Sequence, residues 1–216
     1  MRMSLGTRAN RFEARPTMVI AALALTASAI TLAIACPAAA ADELDGIVTR
    51  DAWGAKPGNA KIMKRQTPRE IIIHMTGVRM QPKISLERKM RGLQGYSQRR
   101  AKIGRRFRRA WGDIPYHYYI GVSGRVAKGR DINFAGDTNT KYDVSDRIQV
   151  VVEGEFSKQR PRAAQLKTLV RLTKWLAQTY GIKADKISGH NDHAATSCPG
   201  KNLKAFLPKL RAAVAG

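Results

Sequence analysis

Read as a pattern of apolar and polar positions, the chain resolves into a short series of elements. Glu70 to His74 reads EIIIH, and three successive β-branched residues predict a strand buried on both faces. His74 then stands at the C-terminal end of a strand, where open α/β sheets collect their sites. Trp111 to Asp131, WGDIPYHYYIGVSGRVAKGRD, predicts two strands about a Ser123-Gly124 turn, and Ile148 to Glu153, IQVVVE, predicts another. Between Pro161 and Tyr180, the residues Leu166, Leu169, Val170, Thr173, Leu176, Ala177 and Tyr180 share one face at helical spacing, and Gly181 supplies a stop. Ile84, Leu86, Met90, Leu93 and Tyr96 give a poorer helical period. A short segment, Lys186 to Ser188, leads to His190, and a closing helix is expected from Asn202 to about Val214. Ahead of these, TRDAWGAKPG at Thr49 to Gly58 sets Trp53 between turn formers as an aromatic anchor. Strands interleaved with helices predict an α/β domain with helices packed on a sheet. No internal repeat is present.

The first 41 residues follow a different rule. Arg2, Arg8, Arg11 and Arg15 precede an apolar stretch from Met18 to Ala35, and Ala38 to Ala41 close it before Asp42 and Glu43. A positive start, an apolar middle and a small-residue exit describe a secretory signal peptide. The mature domain, residues 42–216, is then exported to the periplasm or beyond, with no transmembrane helix after cleavage. It is long enough for one domain with a real core. Cys36, preceded by Ala33, Ile34 and Ala35, offers a second exit in the manner of a lipoprotein signal, with the cysteine acylated.

Cleavage after residue 41 removes one of the two cysteines and leaves Cys198 with no possible internal disulfide. A lone thiol in an oxidising compartment is a liability unless something holds it, and a metal is the simplest holder. Cys198 as a small buried hydrophobe is the plainer alternative. His190 and Cys198 share the turn-rich GHNDHAATSCPG, residues 189–200, and His74 adds a third donor. Two imidazoles and a thiolate make up the three protein ligands of a catalytic Zn²⁺ site, with a fourth position open. Of the other histidines, His117 alternates with Tyr116 and faces away from it, as a packed structural residue. His193, three residues from His190, is either a groove residue or a partner of a ligand.

Losing the four Arg and one Glu of the leader lowers the formal charge from +23 to +20. Most of the excess lies between Arg79 and Arg109, where twelve Lys or Arg face one acid, Glu87. Such a field draws anionic polymers, which for an exported protein means cell-wall glycans, teichoic acids or lipid head groups. No nucleic-acid motif with stacking aromatics accompanies it, so no nucleic-acid partner is expected. The segment at about 79–110 is expected to be a basic helical arm; a solvated, partly disordered arm is the alternative.

Five landmarks occur in order from Arg50 to Leu207: RDAWGA, IIIHMT, WGDIPYHYYIGVSGRVAKGRD, IQVVVEGEF and GHNDHAATSCPG. In them the chain resembles the N-acetylmuramoyl-L-alanine amidase type 2 family of zinc amidases, which includes peptidoglycan recognition proteins and phage amidase-type lysozymes. The resemblance implies a central mixed β-sheet flanked by α-helices. It implies Zn²⁺ ligation by His74, His190 and Cys198, with Tyr116 and Thr196 as catalytic residues. Members that keep this set tend to be active, and members that lose the cysteine only bind. Departures are Met75 for a His or Ser, Asn191 for an Arg, and His193 for an apolar or aromatic residue. A stretch bearing a His and an Asn becomes AGDTNTKYDVSDR here. A glutamate that serves some relatives as base aligns with Val151, so Glu153 receives no catalytic role.

The expected reaction is zinc-dependent hydrolysis of the amide between N-acetylmuramic acid and L-alanine in peptidoglycan. A noncatalytic peptidoglycan-binding module using the same groove is the alternative, and the complete ligand set favours the enzyme. A third possibility makes the basic arm the working part of a membrane-disrupting or polyanion-binding protein.

Overall fold

Ile71, Ile72 and Ile73 are fully buried because their strand, β2 (Glu70–Met75), has a parallel neighbour on each side. The computed structural model describes residues 46–216; the expected signal peptide, residues 1–41, and Cys36 lie outside them. The remaining strands of the main sheet are β1 (Ile47–Val48), β5 (Tyr118–Ile120), β6 (Val126–Lys128), β7 (Arg147–Val152) and β8 (Ile187–Gly189). Their order is β1-β6-β5-β7-β2-β8. β5 and β6 pair antiparallel and every other pair is parallel, so the sheet is mixed. β3 (Ala101–Ile103) and β4 (Arg106–Arg108) form a separate antiparallel hairpin.

Strand alternation divides the core in two. On one face Ile71, Ile73, Tyr118, Ile148 and Val150 meet Leu169, Leu172 and Leu176 of α2 (Ala163–Tyr180) and Leu210 of α4 (Leu207–Ala215). On the other, Tyr119, Ala127 and Val151 meet Trp53 with Leu86 and Met90 of α1 (Leu86–Ser97). Trp53 is anchored there through an Nε1–H donated to the Lys128 carbonyl at 2.8 Å. α1 starts where the Ser85 hydroxyl accepts from the Arg88 N–H, and α2 ends at Gly181 in the left-handed region, φ 63°.

Two expectations need correction. The closing helix is broken into α3 (Lys201–Lys204) and α4, because Pro208 cannot donate to the Lys204 carbonyl and fits only the first turn of a new helix. The basic segment is helical only through α1. Beyond Ser97 it turns back as the β3–β4 hairpin, with Gly104 (φ 57°) as the first central residue of the two-residue turn.

Candidate metal centre and its cleft

β2 and β8 run parallel with Ile73 opposite Gly189, so His74 and His190 leave adjacent strand ends side by side. Their rings stand 4.7 Å apart, centroid to centroid. The chain then loops until the Asn191 N–H bonds the Cys198 carbonyl at 2.8 Å, which returns the thiol to the same spot. The Met75 N–H points at Cys198 Sγ from 3.3 Å, and Sγ lies 3.6 Å from His74 Nδ1. One donor atom from each of His74, His190 and Cys198 falls within 4.8 Å of the others. Among the described residues this is the cluster of His, Cys and carboxylates able to share an ion.

The hydrogen bonds leave one nitrogen of each ring free. His74 Nε2 donates to Gln149 Oε1 at 2.5 Å, which leaves the Nδ1 lone pair directed toward Cys198. His190 Nε2 is taken by the Thr140 hydroxyl at 2.8 Å, which leaves its Nδ1. Burial first, then the neighbouring His190, holds His74 at a pKa of about 3. Burial holds His190 at about 4, so both rings are neutral at physiological pH, the form a metal can take up. Burial pushes the Cys198 thiol up to about 12, so the sulfur stays protonated unless a cation draws the proton off. Donors of a tetrahedral Zn²⁺ site stand about 3.3–3.6 Å apart for bonds of about 2.0–2.3 Å. The Cys198–His74 pair, at 3.6 Å, meets that spacing, and the donor set fits the metal.

Tyr116 precedes β5, and its ring lies 5.2 Å from that of His74. Burial and the nearby Cys198 raise the phenol well above its ordinary range, so it remains a hydrogen-bond donor. Its backbone is crossed closely by Gly129, where an added Cβ would come within 2.3 Å of the Tyr116 carbonyl oxygen. Thr196 lines the same cleft, and its hydroxyl accepts from the Cys198 N–H at 3.2 Å. All five expected site residues therefore border one cleft of about 280 Å³. It opens past Thr76, Trp111, Pro115 and Tyr116 into a groove of about 640 Å³ walled by α1.

His117 lies apart from the cleft, buried and structural. It donates from Nε2 to the Phe134 carbonyl at 2.9 Å and accepts the Gln149 N–H at Nδ1, 2.8 Å away. His193 bonds the Ser188 hydroxyl at 2.7 Å and stacks on Tyr142, whose ring also meets His190. It supports a candidate ligand at one remove. Glu153 is absent from the cleft: it is paired with Lys89 at 2.8 Å in the wall of the larger groove.

Three supporting residues escaped sequence reasoning. Gln149, Thr140 and Tyr142 all touch the two histidines, yet Gln149 sits inside an apolar strand and the others in a stretch without periodicity. The parity of β7 was the available signal: Gln149 shares the sheet face of Val151, which is opposite His74.

Comparison with known proteins agrees with this architecture. The family model for N-acetylmuramoyl-L-alanine amidase matches residues 64–201. Peptidoglycan-recognition protein SD of Drosophila simulans is 32% identical over 168 residues, covering 74% of this chain and 83% of the relative. Among solved structures, human PGRP-IBETAC in complex with glycosamyl muramyl pentapeptide superposes with a TM-score of 0.62 at 26% identity, over 76% of this chain and 94% of its own. The endolysin LysCS, an N-acetylmuramoyl-L-alanine amidase from Clostridium intestinale, gives 0.53 at 25% identity, over 76% and 94%. A mixed sheet with helices on both faces, a matched family model over most of the described residues and relatives of this kind place the chain plainly: it belongs to the N-acetylmuramoyl-L-alanine amidase family.

Proposed function

We propose that this chain is an exported hydrolase that cleaves the amide between N-acetylmuramic acid and L-alanine in peptidoglycan, with Zn²⁺ held by His74, His190 and Cys198. The observation that carries it is the convergence of those three donors within 4.8 Å at an open cleft. When bound, the metal supplies Lewis acidity toward the scissile carbonyl and lowers the pKa of a coordinated water.

The chain's own groups supply the rest. The groove along α1 takes the substrate and orients the amide over the cleft. Tyr116, kept protonated by its surroundings, donates a hydrogen bond to the carbonyl oxygen as negative charge develops there. The Thr196 hydroxyl, an acceptor toward Cys198, has its proton left to donate into the cleft. Gln149 and Thr140 fix the two rings, so no reorganisation is needed as charge builds.

Binding without hydrolysis is the second reading, supported by the likeness to PGRP-IBETAC, whose structure holds a muramyl pentapeptide. One experiment separates them. The protein from residue 42 is incubated with muropeptides, with and without a chelator, and the products are weighed by mass spectrometry. Release of stem peptide with a free L-alanine amino terminus, stopped by chelator and restored by Zn²⁺, is expected. Retention of muropeptide on the protein with no cleavage would establish the binding module instead.

A further inference from the structure

Seven of the eleven residues from Arg99 to Arg109 are Lys or Arg, and none is acidic. They form the β3–β4 hairpin, which stands apart from the main sheet. Its root is rigid. Arg108 is buried and donates to the carbonyls of Tyr96 (2.8 Å) and Ser97 (3.0 Å), occupying acceptors left open at the end of α1. Its guanidinium also lies 5.0 Å from the Tyr96 ring and 4.0 Å from the Trp111 ring, and both rings line the large groove. The hairpin is thus fastened to the groove wall.

The face opposite Arg108 is built differently. Lys102 and Phe107 are direct cross-strand partners there, and the Arg100 guanidinium sits 4.3 Å from the Phe107 ring centroid. Phe107 is 60% exposed; Ile103, beside the turn and on the other face by strand alternation, is 36% exposed. Single exposed apolar side chains are ordinary. An exposed aromatic set among cations, with an exposed Ile at the adjacent turn, is a more specific arrangement. A soluble polyanion would pair with the cations and gain nothing from Ile103 or from the outer face of Phe107. A bilayer surface offers anionic headgroups for the first and the acyl boundary for the second.

We propose that the tip of this hairpin docks the chain on the anionic phospholipid surface of a bilayer, with Phe107 from one face and Ile103 from the other entering the headgroup boundary and the surrounding cations meeting lipid phosphates. Because the root holds Tyr96 and Trp111, docking also fixes the groove at the membrane face. The metal chemistry is not required for this surface to act.

The test is cosedimentation of the protein from residue 42 with vesicles, since both cores are built from residues after Gly46. Vesicles of phosphatidylcholine alone are compared with an equal mixture of phosphatidylcholine and phosphatidylglycerol. Strong preference for the mixture is expected. Phe107→Ser, which leaves the charge unchanged, should lower that partitioning on the order of tenfold. Arg100→Gln should lower it by roughly fivefold, the effect of one cation near an anionic surface. Phe107→Trp should bind as well as the parent, because Trp favours the interface. Binding of Phe107→Ser to soluble polyphosphate should match the parent, which separates lipid insertion from simple charge and reports an intact fold. Absence of preference for phosphatidylglycerol, full vesicle binding by Phe107→Ser, or an equal loss of its polyphosphate binding would each overturn the proposal.

Discussion

The Nε2 of His74 and the side-chain oxygen of Gln149 are 2.5 Å apart, and the Gln149 backbone N–H is itself donated to His117 at 2.8 Å. A buried histidine therefore positions a glutamine that in turn positions a candidate metal ligand. Partners of this kind set the tautomer and ring orientation, and losing one costs about 10–100-fold in metal affinity. Gln149→Leu should weaken Zn²⁺ binding by that factor, whereas Gln149→Glu, which keeps an acceptor for His74, should restore most of it. Competition against a chromophoric chelator measures both. Equal affinity for the Leu variant and the parent would remove Gln149 from the account.

Tyr116 is the residue with most to lose at constant shape. Its phenol is buried and held protonated, so Tyr116→Phe removes a donor and little else. Loss of a preorganised oxyanion donor lowers kcat by about 10²–10³. Since the bond strengthens as charge develops, KM should change little. Steady-state kinetics on a soluble muropeptide distinguish this from a binding role, in which KM would rise and kcat stay near the parent value.

How far the sequence disclosed this arrangement depends on the kind of signal each part leaves. The isoleucine triplet of β2 and the face of α2 are periodic and long, so apolar burial alone reveals them. His74, His190 and Cys198 stand out because few residue types bind zinc and this chain has few of them. The β3–β4 hairpin stayed hidden because a run of Arg and Lys has no apolar period; its shape depends on Gly104 and on the tertiary bonds of Arg108. Thr140 and Tyr142 were illegible for the same reason, since a loop residue acquires its partner only when the sheet brings His190 alongside. The split between α3 and α4 was readable at Pro208, where a local steric rule outranks the apolar spacing around it.

Lys89 and Glu153 carry a prediction about stability. Their side chains are 10% and 3% exposed and 2.8 Å apart, and Glu153 also accepts the Gln81 N–H at 2.9 Å. Removing one member of a buried pair strands the other charge, at a cost of about 3–5 kcal/mol. Lys89→Met should lose stability on that scale. Glu153→Gln in the Lys89→Met background should recover most of it, because no buried charge is then unpaired. Urea unfolding of the two single variants and the double variant gives the coupling directly. Additive losses would show that the pair is not energetically linked.

His117 gives the pH dependence of the fold. Burial depresses its pKa from 6.5 to about 4; the bond to the Phe134 carbonyl opposes the shift and the nearby Arg130 adds to it. Between those two values the unfolded chain takes up a proton that the folded chain refuses, so stability falls as pH falls. The contribution is complete above pH 6.5, declines down to pH 4 and is flat below, amounting to roughly 3 kcal/mol. His117→Gln keeps a donor for Phe134 and an acceptor for the Gln149 N–H but cannot titrate. Denaturant unfolding in chelator, which leaves the His74 and His190 contributions common to both proteins, should show the parent losing about 3 kcal/mol more than the variant between pH 7.5 and 4. Parallel pH profiles would mean that His117 is not held neutral in the folded chain, and the path from His117 through Gln149 to His74 would lose its fixed end.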